Sequence, residues 1–115
     1  MDFGSAREFL AAECPFELAK ATAADPRGCP AELWQKIADL GWTALPFPEQ
    51  YGGAGGSLVD LAVLLEEMGR VNAPGLFFSA VVLGGLAILE AGSERQKADL
   101  LPRVAAGEII ATLAV

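Results

Sequence analysis

The run Trp42-Thr-Ala-Leu-Pro-Phe-Pro-Glu-Gln-Tyr-Gly-Gly-Ala-Gly-Gly56 constrains this chain more than any other feature, because it is a proline- and glycine-punctuated loop between two segments of helical periodicity. Connections inside compact domains usually run to ~4–6 residues, so a loop of this length is either functional or serves a particular packing arrangement. Pro46 and Pro48 hold its first part extended and bias the residue before each away from helix, whereas the glycines of 52–56 permit turns that need positive φ. Before the loop, Leu33, Trp34, Ile37 and Leu40 fall on one stripe of a helix over 31–40. Gly41 is its natural stop, able to turn left-handed and let Trp42 fold back on Ile37. After the loop, Ser57 opens a second helix in which Leu58, Leu61, Ala62, Leu65 and Met68 recur at three- and four-residue steps, with Val59, Val63 and Leu64 widening the apolar side.

The rest of the chain also reads as helix. Ser5 and Glu8 have the spacing of a capping box, and Pro15 divides the region into 6–14 and 16–23. Residues 25–30 read as a loop, with Pro30 suited to the start of the next helix. After an interruption at 72–75, Leu76–Ala91 is apolar nearly all round, the pattern of a helix enclosed by others. Gly92 ends it. Ser93 and Gln96 form another capping box, opening a short helix through Leu101 that Pro102 bends or terminates. Beyond Gly107 the residues from Glu108 to Val115 turn branched and lose the helical stripe, the character of a strand lacking a partner. The expected fold is all-α, a bundle of five or six helices around 76–91 with a short strand-like segment at the end.

Composition narrows the function classes. Fifteen acidic against eight basic residues give a net charge of −7, without the lysine and arginine clusters that nucleic acid or an anionic membrane surface would demand. Apolar residues make up 53% and charged residues 20% of this 115-residue chain, an apolar surplus that suggests a face meant for other protein. The longest uncharged run, 71–89, holds Asn72, Pro74, Gly75, Ser79 and the pair Gly84–Gly85, so it reads as a buried helix rather than a membrane span. Cys14 and Cys29 are too far apart for a Cys-x-x-Cys motif and fit two free thiols in a cytoplasmic chain. Histidine is absent, which excludes Ser-His-Asp and Cys-His arrangements within these residues.

Four blocks stand in series: Leu33-Trp-Gln-Lys-Ile-Ala-Asp-Leu-Gly-Trp42, Pro48-Glu-Gln-Tyr-Gly-Gly53, Leu65-Glu-Glu-Met-Gly-Arg70, and Ala91-Gly-Ser-Glu-Arg-Gln-Lys97 followed by Leu101-Pro102. In order and spacing they resemble the helical N-terminal domain of acyl-CoA dehydrogenases, from about Pro30 to Val115. The resemblance implies a parent enzyme that dehydrogenates an acyl-CoA thioester at its α and β carbons. There a carboxylate base removes the α-proton and FAD accepts the hydride, with an electron-transfer flavoprotein-type acceptor downstream and assembly as a homo- or hetero-oligomer. It implies that residues 1–107 form the helical domain and that 108–115 begin a missing middle β-domain. The base and most FAD contacts lie in the middle and C-terminal parts of that family, so no catalytic, cofactor-binding or metal-binding residue is assigned here.

The part left to this domain is one wall of the acyl pocket. Leu76, Ser79 and Leu83, one to two turns apart at the start of the apolar helix, are the candidate substrate-binding residues. The Pro-Gly-Leu-Phe-Phe start resembles dehydrogenases acting on larger, ring-bearing acyl groups. A stand-alone helical interaction or dimerisation module, or the same domain of an acyl-CoA oxidase or flavin monooxygenase, are the alternatives. Gly52–Gly56 follows no strand and lacks Gly-Lys-Ser/Thr, so it reads as a turn rather than a phosphate cradle. Glu66 and Glu67 are adjacent and point apart on a helix, so one should pair with a cation and the other be solvated.

Overall fold

The computed structural model describes residues 3–24, 30–73 and 75–114. The expected loop at 25–29, with Cys29 in it, and Pro74 lie outside the described residues. Six α-helices and no strand are found among those described: α1 Phe3–Glu13, α2 Phe16–Ala23, α3 Ala31–Asp39, α4 Leu58–Arg70, α5 Leu86–Ala91 and α6 Glu94–Ala105. A π-helical stretch, Phe78–Gly85, runs directly into α5. The all-α class read from the periodicity therefore holds.

Several boundaries follow their local chemistry. Pro15 separates α1 from α2, and Gly41 stops the α3 segment in the left-handed region at φ 81°. The capping box expected at Ser93 is formed with Gln96, and Ser57, expected as a helix start, forms one with Asp60; each exchanges two side-chain to backbone bonds. The box expected at Ser5 is not formed at a helix start, because α1 already begins at Phe3 and carries Ser5 and Glu8 within it. Asn72, at φ 51°, ends α4, and the Ala73 N–H returns 2.9 Å to the Met68 carbonyl.

Helix α6 runs past Pro102 to Ala105, where the sequence suggested a bend or an end. Tertiary bonds hold its last turn: the buried Thr43 hydroxyl donates to the Ala105 carbonyl at 2.6 Å, and the Trp34 indole N–H donates to the Gly107 carbonyl at 3.1 Å. The first satisfies a carbonyl that a helix end otherwise leaves open, and the second anchors the turn that follows.

The core does not surround 76–91. Its largest fully buried side chains are Phe47, Leu10, Leu64, Leu101, Val81 and Val104, contributed by the long loop and four different helical segments. Within 76–91 only Phe77, Ala80, Val81, Gly84 and Gly85 are buried, α5 has no buried residue, and Phe78 is 53% exposed. On α4 the inward face is Leu61, Leu64 and Met68, while Leu58 and Val59 point outward at 70% and 71% exposure. An apolar run states that burial is favourable, not against which element. The terminal residues 109–114 lie outside any helix or strand, with Ile109 and Ala111 packed inward and Ile110 and Leu113 about half exposed.

Candidate functional site

The long loop is a closed structure. Two short 3₁₀ turns, Trp42–Ala44 and Glu49–Tyr51, fold it back so that the amides of Ala54, Gly55 and Gly56 donate to the carbonyls of Ala44, Phe47 and Leu45 at 2.7–2.9 Å. The Gly53 amide donates to Pro48 at 3.0 Å, and a Cβ at Gly53 would collide with the Phe47 carbonyl. Tyr51 ties the loop to α6 by donating its hydroxyl to Glu94 at 2.7 Å, which raises the phenol pKa and lowers that of the carboxylate. These amides are already engaged within the protein, so the glycine run is no cradle for a phosphate or for the pyrophosphate of a dinucleotide. The glycine run therefore does not fit an FAD pyrophosphate.

Against this loop lies a cavity of about 570 Å³. Helix α1 supplies one wall with Ser5, Ala6 and Phe9, the loop supplies Trp42, Leu45 and Ala54–Gly56, and the first turn of α4 supplies Asp60. Phe9 meets Trp42 edge to face, with ring centroids 5.3 Å apart. Leu40, 51% exposed, also lines it, and the exposed Leu58 and Val59 precede Asp60 in the chain. The Ser57 backbone and hydroxyl hydrogen-bond the Asp60 carboxyl and hold its pKa below the ordinary value. The cavity is thus a socket of mixed apolar and aromatic lining with one fixed negative charge.

One carboxylate elsewhere is buried. Glu67 is 5% exposed and receives both Arg7 Nε and Arg7 Nη2 at 2.9 Å across the α1–α4 contact, with Arg70 Nε 3.4 Å away. The Arg7 hydrogen bonds pull the Glu67 pKa down despite the opposing effect of desolvation. Glu66 is 72% exposed and pairs with Arg70 at 3.7 Å, so both glutamates meet a cation, and the expected division survives only in their burial.

Leu76, Ser79 and Leu83 are half-buried, and none of them lines the 570 Å³ cavity or a smaller one of about 280 Å³ beside Gly84, Ala87 and Ala91. Their expected stripe is altered by the winding. Leu76 precedes the helix, and the π-helical turns, in which the Leu86 N–H reaches back to Val81, are wider than α-helical ones. Ser79 and Leu83 remain about one turn apart on that stretch.

A family model described as "Acyl-CoA dehydrogenase, N-terminal domain" matches residues 3–108. The chain belongs to this family. A probable acyl-CoA dehydrogenase of Bacillus subtilis, YngJ, is 38% identical over 80 residues, covering 68% of this chain and 21% of the relative. Among solved structures, a variant of the Tcur3481-Tcur3483 steroid ACAD is similar with a TM-score of 0.81 and 36% identity, over 91% of this chain and 28% of that one. An acyl-CoA dehydrogenase from Bacillus anthracis, solved with FAD, is similar with a TM-score of 0.79 and 29% identity over 95% and 19%. The chain therefore spans between a fifth and a third of the length of these proteins.

For an acyl-CoA dehydrogenase N-terminal domain, the pair Gly84–Gly85 acquires a meaning that its composition did not disclose. A Cβ at Gly85 would strike the ring of Phe47, and one at Gly84 would lie 2.7 Å from Ala111 Cβ. The glycines let the loop close on one side of the helix and the terminal segment cross the other. Two neighbouring glycines in an otherwise apolar helix were the available signal. The partners, Phe47 and Ala111, lie dozens of residues away and carried none. The socket and the Arg7–Glu67 pair were likewise invisible, since both unite residues of α1 with α4.

Proposed function

We propose that this chain is the N-terminal part of an FAD-dependent acyl-CoA dehydrogenase, in which it supplies shape and exclusion of water while proton and hydride transfer take place on groups outside it. The single observation that carries this reading is the family match across 3–108 on a fold shared with acyl-CoA dehydrogenases. Residues 108–115 then lead into a middle β-domain. Ile110 and Leu113, exposed at 51% and 49%, fit a segment awaiting further protein. No helix among the described residues is long and apolar enough to cross a membrane, in keeping with a cytoplasmic enzyme that assembles as a homo- or hetero-oligomer.

Ser79 and Leu83, with Leu76 before them, form one wall of the acyl pocket in this proposal. Their half-burial leaves surface for a ligand or for neighbouring protein to cover. The likeness to a steroid ACAD and the Leu76-Phe77-Phe78 start favour a bulky, ring-bearing acyl group. Replacing Ser79 or Leu83 by tryptophan in the full-length enzyme should raise KM for the larger acyl-CoA substrates and leave short ones little changed. Unaltered kinetics for every acyl group in both variants would remove these residues from the wall.

The 570 Å³ socket is proposed as the docking place of an electron-transfer flavoprotein-type acceptor, which would seat an apolar side chain between α1 and the loop. Its volume falls in the ~300–1,000 Å³ range of ligand pockets, and exposed apolar residues at a mouth mark interaction surfaces. Leu58→Asp should slow turnover with the protein acceptor and leave turnover with a small dye acceptor intact; equal rates with both would refute the assignment. The isolated 115-residue chain is expected to be colourless and inactive.

A further inference from the structure

We propose that the Arg7–Glu67 ion pair is a positioning latch that sets the register of α1 against α4 and thereby the shape of the socket between them. Its consequence for acceptor binding rests on the docking proposal above; its effect on α1 does not.

The apolar contact between these helices is weakly directional. The buried ridge of α1 is Ala6 and Leu10, continued by Cys14 just past its end, buried at 2%, 0% and 3% and spaced four residues apart, so a slide of one helical turn, ~5.4 Å, presents the same ridge again. Side-chain volume alone resists such a slip. A bidentate arginine–carboxylate pair, by contrast, has one geometry. Both of its bonds are 2.9 Å long, and the carboxylate end is almost fully enclosed.

Position links the latch to the socket. Arg7 stands between Ala6 and Phe9, two of the three α1 residues in the socket wall. Glu67 lies on the helix whose first turn brings Asp60 to the opposite wall. Helix α1 is also tied by the Phe9–Trp42 ring contact and by the exposed Glu13–Lys36 pair at 2.9 Å. The latter is of a kind worth little in water. A buried carboxylate adds little net stability over an apolar residue, and its best-attested use is to specify one register. The charged groups facing Glu67 are Arg7 from α1 and Arg70 from its own helix, with Glu66 adjacent. Among the described residues, removing Arg7 leaves Glu67 the longer 3.4 Å contact to Arg70.

The test uses the full-length enzyme with Glu67→Gln, and with Arg7→Gln as the milder variant should the first fail to fold. Amide exchange in α1 should accelerate about ten-fold or more while α6 keeps its protection. KM for the protein acceptor should rise several-fold, with kcat for a dye acceptor unchanged. Arg7→Lys, which keeps the charge but not the fork, should restore only part of the protection. Unchanged exchange in α1, or equal acceleration in α1 and α6, would overturn the latch. Selective loosening of α1 with an unchanged acceptor KM would leave the latch standing and reject the docking proposal.

Discussion

The loop 42–56 and the apolar run 76–91 exchange the roles that their compositions suggest. The loop, full of proline and glycine, is closed by its own backbone bonds and places Phe47 at the centre of the core, 0% exposed. The run, which has the pattern of an enclosed rod, is wound partly as π-helix and leaves Phe78 at 53% exposure. Backbone closure and one well-placed aromatic ring determine more of this core than mean hydropathy does. The two regions meet where the Phe47 ring lies against Gly85.

That meeting point is where the comparison breaks most easily. Phe47→Ala should cost about 3–5 kcal/mol in denaturant unfolding, the range for a large buried aromatic. A loss near zero would mean that the loop is peripheral after all. Gly85→Ala should cost about 1–3 kcal/mol by overpacking against the same ring. In the Phe47→Ala background it should cost much less, and a double-mutant cycle without coupling would deny the contact.

Acid should act selectively. The folded pKa of Glu67 is lowered, so its contribution is complete above the ordinary carboxylate value and disappears as pH falls through the lowered one. Protection of the α1 amides, taken relative to their intrinsic exchange rates, should hold at pH above the ordinary carboxylate value and fall as pH drops below it. Asp60 and Glu94 are lowered too, so the Glu67→Gln variant separates the α1 response from theirs. The smallest effect belongs to Phe78→Ser, which should change stability by no more than about 0.5 kcal/mol despite removing a phenylalanine from the most apolar run. A loss of several kcal/mol would restore the enclosed rod.

What was legible in the sequence was local. The helix start at Ser57, the capping pair at Ser93, the stop at Gly41 and the break at Pro15 each depend on residues a few positions apart, and all appear as read. Periodicity located the helices but not their partners, so it placed Leu58 and Val59 inward when both face out. It also assumed α-helical turns for Ser79 and Leu83, because the residue pattern does not distinguish π from α winding. The socket was beyond reach for the same reason: Phe9, Trp42 and Asp60 share a cavity only after α1 has docked on α4. The four motif blocks reached further than physics alone, since the family match confirms the domain they resemble.

The central claim, that this domain belongs to a working acyl-CoA dehydrogenase, is tested most directly by anaerobic titration of the full-length protein with acyl-CoA, followed by visible absorption. One bound flavin per chain and its bleaching by stoichiometric substrate are expected. A protein without flavin, or a flavin that no acyl-CoA reduces, would contradict it.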